Sequence, residues 1–487
     1  MPQISVETTI ESVNQFLSKK MYVLALDVVS TALQENPNAT ELQALYGKVA
    51  TESRDFYTAA NVYDELVKKF PKHPVFLMDS AKAWSSVGET EKAILYSKRA
   101  IQYSNSSRQS VLALADLYER NNMADEAEGI LDSLAENIDG NGNYQRLKAR
   151  LLIAKKRYAE AIDYILSMLH VERNNTRISK LCFLLSKSYD CLCDYDKAWE
   201  AAQKAHKYDE SPFDEHEFFT QFDKIRTFMT KETVEGLVEG PTTEVVPFFI
   251  VSNPRSGTSL LEQIVGMHSD VANGGEMPTG SLLQSKIATM TDSFHSWPMN
   301  LIDVSESDAS TLSRQYCLDG NFFRGDAKIV SNKALNLHLQ LGFLSKILPS
   351  SKAILLQRSP LDNAVSCYMN NLIAAGLTYT SKIEHIGRTW VERKKMSDHW
   401  LEVLSIPMME MSYEHLVANQ RSETKRLIRF LDLPWQEECM QFHTSNHVAR
   451  TISYDQVNKE MYNSSSGRWK NYEKHLGPLI DIVSDYI

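Results

Sequence analysis

No stretch of this 487-residue sequence approaches the roughly 20 consecutive apolar residues that a bilayer-spanning helix needs. The first residues, MPQISVETTIESVNQF, show neither a basic region nor an apolar core of the kind that opens a secretory leader. The expectation is therefore a cytoplasmic chain with no membrane span, in which the sequons at Asn38, Asn105, Asn174 and Asn463 carry little meaning. Positive charge is also short: 52 Lys and Arg face 62 Asp and Glu, giving a net charge of −10. Phosphate backbones are bound by clustered Lys and Arg, so a nucleic-acid partner is not expected, although a local basic pocket can exist inside an acidic chain. The six cysteines (182, 191, 193, 317, 367 and 439) form no C-x-x-C pair and no zinc-ligand spacing. They read as small buried apolar residues in a reducing compartment, with no structural metal.

A hydrophobic content of 43% and a charged content of 23% are those of folded protein, and the length calls for two or three domains. The first of these is periodic. Short motifs of the form Y/F-x-x-A-x-x-x-(apolar)-x-x-A/L are anchored on Ala25, Ala59, Ala93, Ala127 and Ala161, each 34 residues after the last, and a sixth anchor, Ala198, follows after 37. The aromatic position holds Tyr22, Phe56, Tyr158 and Tyr195, with Thr90 and Ala124 in the other two units. Positions four and seven beyond each anchor are mostly small or apolar, as in Val29 and Ala32 or Tyr63 and Leu66. Residues so spaced share one helix face, and a small residue at the anchor admits a neighbouring helix closely. A period of 34 with turn material between units resembles the tetratricopeptide repeat, a helix–turn–helix unit. The resemblance implies an all-α superhelix over residues 1–210, with an extended concave surface for a protein partner or self-association. Residues 211–243 break the period. Their amphipathic segment predicts one or two connecting helices before a loop, VEGPTTEVVP, leads into a strand.

Chemistry concentrates in residues 244–487. The apolar run Val245–Val251 predicts a buried parallel strand, and Asn253-Pro254-Arg255-Ser256-Gly257-Thr258-Ser259 follows it directly, opening a helix on Leu260, Leu261, Ile264 and Val265. A strand–turn–helix unit aims free N–H groups and the positive end of the helix dipole at one point, which suits an anion. Gly257 lets the backbone come close, and Ser256, Thr258 and Ser259 add hydroxyls. The nucleotide-kinase loop G-x-x-x-x-G-K-[ST] is missing, and no magnesium carboxylate is evident, so an ATP-dependent kinase is disfavoured. A second apolar strand, Ile354–Leu356, ends in Gln357-Arg358-Ser359-Pro360 and is followed by Ser366 on the next predicted helix. The planar fork of Arg358 suits bidentate binding of phosphate.

P-R-S-G-T-[ST]-L after a strand, together with the Arg358…Ser366 pattern, resembles the sulfotransferase family, and specifically its members fused behind tetratricopeptide repeats, kin to the tyrosylprotein sulfotransferases. IVSNKALNLHLQLGFLSKILPSSKAIL, MEMSYEHLVANQRSETKRLIRFLDLPW and YDQVNKEMYNSSSGRWKNYEKHLGPL extend the likeness almost to the C-terminus. It implies an α/β P-loop-like domain with a central parallel sheet, a co-substrate 3′-phosphoadenosine 5′-phosphosulfate (PAPS), released as adenosine 3′,5′-bisphosphate (PAP), and no metal. Arg255 to Ser259 match the 5′-phosphosulfate loop, Arg358 and Ser366 the 3′-phosphate site, Tyr413 the Y-E-x-L position near the nucleotide, and Ser453 and Arg468 the C-terminal cofactor segment. Glu276 stands where the tyrosylprotein branch places its base, and Lys333, with Ser453, where the family steadies the transferred group and the leaving phosphate. The family's D-K-x-P becomes Ser331-Asn332-Lys333-Ala334 here, and Asn370 stands where the tyrosylprotein enzymes have a basic residue. Cytosolic members use a histidine base, but His268, His443 and His447 lie in no matching context.

The expected reaction is sulfuryl transfer from PAPS to an acceptor hydroxyl, with Glu276 as base. The acceptor (peptide tyrosine, carbohydrate, lipid or small molecule) is left open. The alternative is a repeat-based scaffold whose transferase-like domain binds nucleotide without turning over. The presence of Arg255, Arg358 and Glu276 together weighs against it.

Overall fold

The computed structural model describes residues 5–19, 21–134, 142–209, 211–324, 326–373, 376–444 and 466–487. Helices pair along the N-terminal half: α1 (Val6–Ser18) with α2 (Tyr22–Glu35), α3 (Thr40–Glu52) with α4 (Phe56–Lys69), α5 (Pro74–Val87) with α6 (Thr90–Tyr103), and α7 (Arg108–Arg120) with α8 (Ala124–Asp132). Two more pairs follow, α9 (Gly142–Ala154) with α10 (Tyr158–Val171) and α11 (Asn175–Cys191) with α12 (Tyr195–Lys207). The aromatic position of the motif is the first residue of every second helix, and all six anchor alanines are completely buried. The last interval is longer than the others because α11 has 17 residues where the first helices of the other pairs have 13 or 14. The two expected connecting helices are α13 (Glu215–Phe228) and α14 (Lys231–Gly236).

The turn inside each pair repeats as faithfully as the alanines. Gly88, Asn122, Lys156 and Cys193 all have positive φ (114°, 59°, 59° and 60°), two residues ahead of the second helix. The next N–H reaches back to the helix it has just left, as in Glu89 N to Trp84 O at 3.1 Å and Arg157 N to Leu152 O at 2.9 Å. This is the left-handed helix stop that glycine fills without steric cost. Lys156 is exposed and occupies it with a side chain. Lys156→Gly is expected to stabilise the protein by about 0.5–1 kcal/mol, and Gly88→Ala to cost a similar amount, both read as shifts in the denaturant midpoint.

Beyond Pro241 the chain builds a five-stranded parallel sheet in the order β2-β3-β1-β4-β5, with β1 (Val246–Ser252) at its centre. The strand begins one residue later than the apolar run predicts. Phe248, Phe249, Ile250 and Val251 are at most 1% exposed, as a strand covered on both faces requires. The order along the chain is α15 (Thr258–Val265), β2 (Val271–Asn273), α16 (Thr279–Met290), α17 (Glu306–Arg324), β3 (Ile329–Asn332) and α18 (Leu337–Ile347). It continues with β4 (Lys352–Gln357), α19 (Pro360–Tyr368), α20 (Ile383–Val403), β5 (Met408–Ser412), α21 (Tyr413–Ala418), α22 (Gln420–Phe430) and α23 (Gly477–Val483). No helix among the described residues is long and apolar enough to cross a membrane.

The chain packs as two units, the first holding α1–α8, most of α9 and residues 277–286, the second holding α10–α14 and the sheet with its other helices. Within the second, α12 is built into the core: Ala198, Trp199 and Ala202 pack with Leu361, Val365 and Tyr368 of α19 and with Tyr472 and Leu476. Trp199 stacks between Tyr368 (4.6 Å) and His475 (4.9 Å). Of the cysteines, Cys182, Cys367 and Cys439 are buried as expected. Cys191 and Cys193 are exposed because they close α11 and form its turn, which corrects the reading of all six as core residues.

Candidate functional site

Because all five strands run parallel, their carboxyl ends meet along one edge of the sheet, where ligands of open α/β sheets bind. Each end delivers a residue singled out by sequence. The loop of Arg255 to Gly257 follows β1, Glu276 lies three residues past β2, and Lys333, Arg358 and Tyr413 come immediately after β3, β4 and β5.

The loop after β1 is wound tightly. Arg255 (φ 65°) and Gly257 (φ 94°) are both left-handed, and Gly257 caps α15. A Cβ on Gly257 would sit 2.4 Å from Cδ2 of Tyr413, so this position is closed to any side chain. Arg358 lies over the opposite partner: its guanidinium is 4.8 Å from the Tyr413 ring, and its Nη1 donates to the Arg255 carbonyl at 2.7 Å. Nε of Arg255 in turn donates to Ser366 Oγ at 3.2 Å. Asn363 Nδ2 donates to the Pro254 carbonyl (2.8 Å) and to Ser256 Oγ (3.0 Å), so the fully buried Ser256 side chain ties the loop to α19. Thr258 is half-buried at the first turn of α15, with Ser259 buried beside it. Two segments a hundred residues apart are thus one hydrogen-bonded unit that brings two arginines together. Cys367, at the back of this unit, is pushed up to about 12 by burial despite the opposing pull of Arg255, Arg393 and Arg358, and is an inert thiol.

A second cluster lies beside it. Lys333, only 6% exposed in its side chain, has Nζ 3.7 Å from Glu262 and 3.8 Å from Glu276. The two carboxylates are not equivalent. Glu262, on α15, is buried and held by the Gly275 N–H (2.9 Å) and the Ser331 hydroxyl (2.7 Å), whereas the Glu276 side chain is 32% exposed. Lys333 also donates its own N–H to Gly275 O at 2.8 Å, which ties the Gly274-Gly275-Glu276 turn to β3. One fixed carboxylate positions the lysine, and the other is the more exposed of the two. Sequence reasoning missed Glu262. Its signal was an acidic residue directly after Leu260-Leu261 and before Ile264-Val265, on the apolar face of the helix that follows the loop.

The remaining candidates are placed as follows. Ser453 and His447 lie outside the described residues. Arg468 is turned to α11, with Nη2 2.7 Å from Asp190, while the flanking N–H groups of Gly467 and Trp469 donate to Asp362 at 2.6 and 2.9 Å. Asn370 Nδ2 caps the Ser366 carbonyl at 2.8 Å. His268 is a buried structural residue: its Nε2 lies 2.8 Å from the Pro434 carbonyl and its Nδ1 accepts from Asp270 N. His443 packs edge-on against Phe442.

Residues 247–437 match the sulfotransferase family and residues 86–151 the tetratricopeptide repeat. An uncharacterized protein of Aquifex aeolicus is 26% identical over 94% of this chain and 57% of its own length. Protein-tyrosine sulfotransferase 1 of Danio rerio is 24% identical over 43% of this chain and 60% of its own. A sulfotransferase domain from the curacin biosynthetic pathway superposes with a TM-score of 0.35 at 16% identity, covering 50% of this chain and 98% of that one. The chain spans about half the length of the curated relatives it matches. It joins tetratricopeptide repeats to a domain of the sulfotransferase family.

Proposed function

We propose that the chain transfers a sulfuryl group from PAPS to an acceptor hydroxyl. The observation that carries this reading is the convergence of the Arg255 loop with Arg358 and Ser366 in one hydrogen-bonded unit. The donor set fits the nucleotide's two anionic ends: the loop after β1, with Thr258 and Ser259, would take the 5′ end, and Arg358 with Ser366 the 3′-phosphate. Tyr413, pressed on Gly257, fixes how closely the loop can be approached. Ser453 and Arg468 belong to the same proposal as residues of the C-terminal cofactor segment.

In this reading the acceptor O–H gives its proton to Glu276 as its oxygen bonds to sulfur, and the bond from sulfur to the bridging phosphate oxygen breaks. Lys333, held by Glu262, places positive charge where the leaving oxygen gains negative charge. Sulfuryl transfer demands positioning and charge stabilisation rather than covalent participation by the protein, so basic side chains and N–H groups suffice without a metal. We assign residues 1–210 to the repeats, 211–243 to the connector and 244–487 to the transferase, and give the repeats a role in binding a protein partner or a second copy.

The test is thermal denaturation with PAP or ATP. A ligand at about 100 times its dissociation constant stabilises by about 2.7 kcal/mol. A shift with PAP and none with ATP at equal concentration is expected. Equal shifts, or no shift with PAP, would sink the assignment.

A further inference from the structure

A cavity of about 370 Å³ opens among α13, the start of α18, and α20. Phe213, Phe218, Phe222, Leu335 and Tyr379 make most of its wall apolar, and its size is that of a small-molecule site. One strongly polar group faces it. Arg393 of α20 is 5% exposed, and its Nε and Nη1 are buried with no hydrogen-bond partner among the described residues. Its guanidinium lies 5.7 Å from the centre of the Tyr379 ring. A guanidinium stays protonated in a protein, and a buried charge without a partner is strongly unfavourable. His338, buried beside it with Nδ1 unpartnered, cannot offset that charge, because an imidazole carries no negative charge; burial and the neighbouring guanidinium hold it well below the ordinary imidazole range. Acidic side chains stand only at the mouth, where Asp214 and Glu217 are exposed.

Two observations relate the cavity to the transfer site. Its wall begins at Leu335, two residues beyond Lys333. The helix that carries Arg393 is tied to the nucleotide side by Trp390, whose Nε1 donates to the Arg358 carbonyl at 3.3 Å. We propose that the cavity seats the acceptor, and that Arg393 selects a compact, largely apolar hydroxyl compound carrying one carboxylate. The inference rests on the sulfotransferase reading for the acceptor's role. The acidic mouth disfavours polyanions such as heavily charged sugars, whereas a single carboxylate seated on the guanidinium forms the bidentate pair that the protein itself leaves unmade.

Calorimetric titration of the full chain with 3-(4-hydroxyphenyl)propionate and with its amide, each with and without PAP, tests this. The carboxylate is expected to bind at least tenfold more tightly than the amide. Arg393→Met is expected to erase that preference, to keep PAP affinity, and to melt no lower than wild type, since it removes an unpaired buried charge. A merely structural arginine would lower the melting temperature instead. Gln221→Trp, at an exposed position on the rim, is expected to weaken both compounds alike and serves if Arg393→Met fails to fold. Equal binding of carboxylate and amide, absence of binding by both, or a preference that survives Arg393→Met overturns the proposal. Loss of PAP binding in wild type overturns instead the reading on which it rests.

Discussion

Glu276→Gln is expected to slow sulfuryl transfer by ~10²–10⁴-fold, the usual contribution of a positioned general base, while PAP binds as before. The separation of the two effects follows from geometry. Glu276 lies against Lys333, whereas the Arg255–Arg358–Ser366 unit is held by hydrogen bonds of its own. Lys333 also keeps a second carboxylate, Glu262, which is anchored by a backbone N–H and a hydroxyl. The amide therefore removes the proton acceptor without leaving a buried cation unpaired. Transfer from labelled donor to a simple phenol, measured beside a PAP titration, checks both halves. A variant that retains the wild-type rate eliminates Glu276 as the base. One that loses PAP binding shows the residue acting on the nucleotide instead.

Arg358→Ala is expected to weaken PAP by two to three orders of magnitude. Removing one member of a buried, hydrogen-bonded charge pair costs ~2–5 kcal/mol. Two effects combine here, because Arg358 is the residue we propose for the 3′-phosphate and also donates to the carbonyl of Arg255, whose φ of 65° is a strained conformation for a residue with a side chain. Arg358→Lys keeps the charge but not the fork, and recovers only part of the loss. Calorimetric titration with PAP reads both variants. Affinity unchanged in Arg358→Ala refutes a role in the grip, and full rescue by lysine refutes the argument from the planar fork.

The sequence disclosed what local spacing encodes. The alanine period placed all six second helices, since close helix approach leaves room only for a small residue at the anchor. The loop after β1 and the arginine after β4 were legible because each is a strand end followed at once by a helix start. Glu262 and Arg393 were not, because neither acquires meaning until distant segments surround it. Glu262 needs Gly275 and Ser331 to fix it and Lys333 to receive it, and Arg393 matters for the partner it lacks, which no spacing rule reports. The strand order was not legible for the same reason, since β1 sits between β3 and β4 by tertiary pairing. Cys191 and Cys193 misled because composition knows nothing of a turn.

The seating of α12 bears on how the two halves of the chain can be separated. Tyr368 follows Cys367 on the helix that supplies Ser366, and it is gripped by Trp199 and by His206, whose Nε2 lies 2.8 Å from the Tyr368 carbonyl. Asp190 meanwhile holds both Arg468 and the Tyr472 hydroxyl. A fragment cut at residue 211, where periodicity stops, would strip this panelling away and wet one flank of α19. Mechanical strain applied to the final repeat is correspondingly strain on the helix of Ser366, relayed through stacked rings with no slack linker to absorb it.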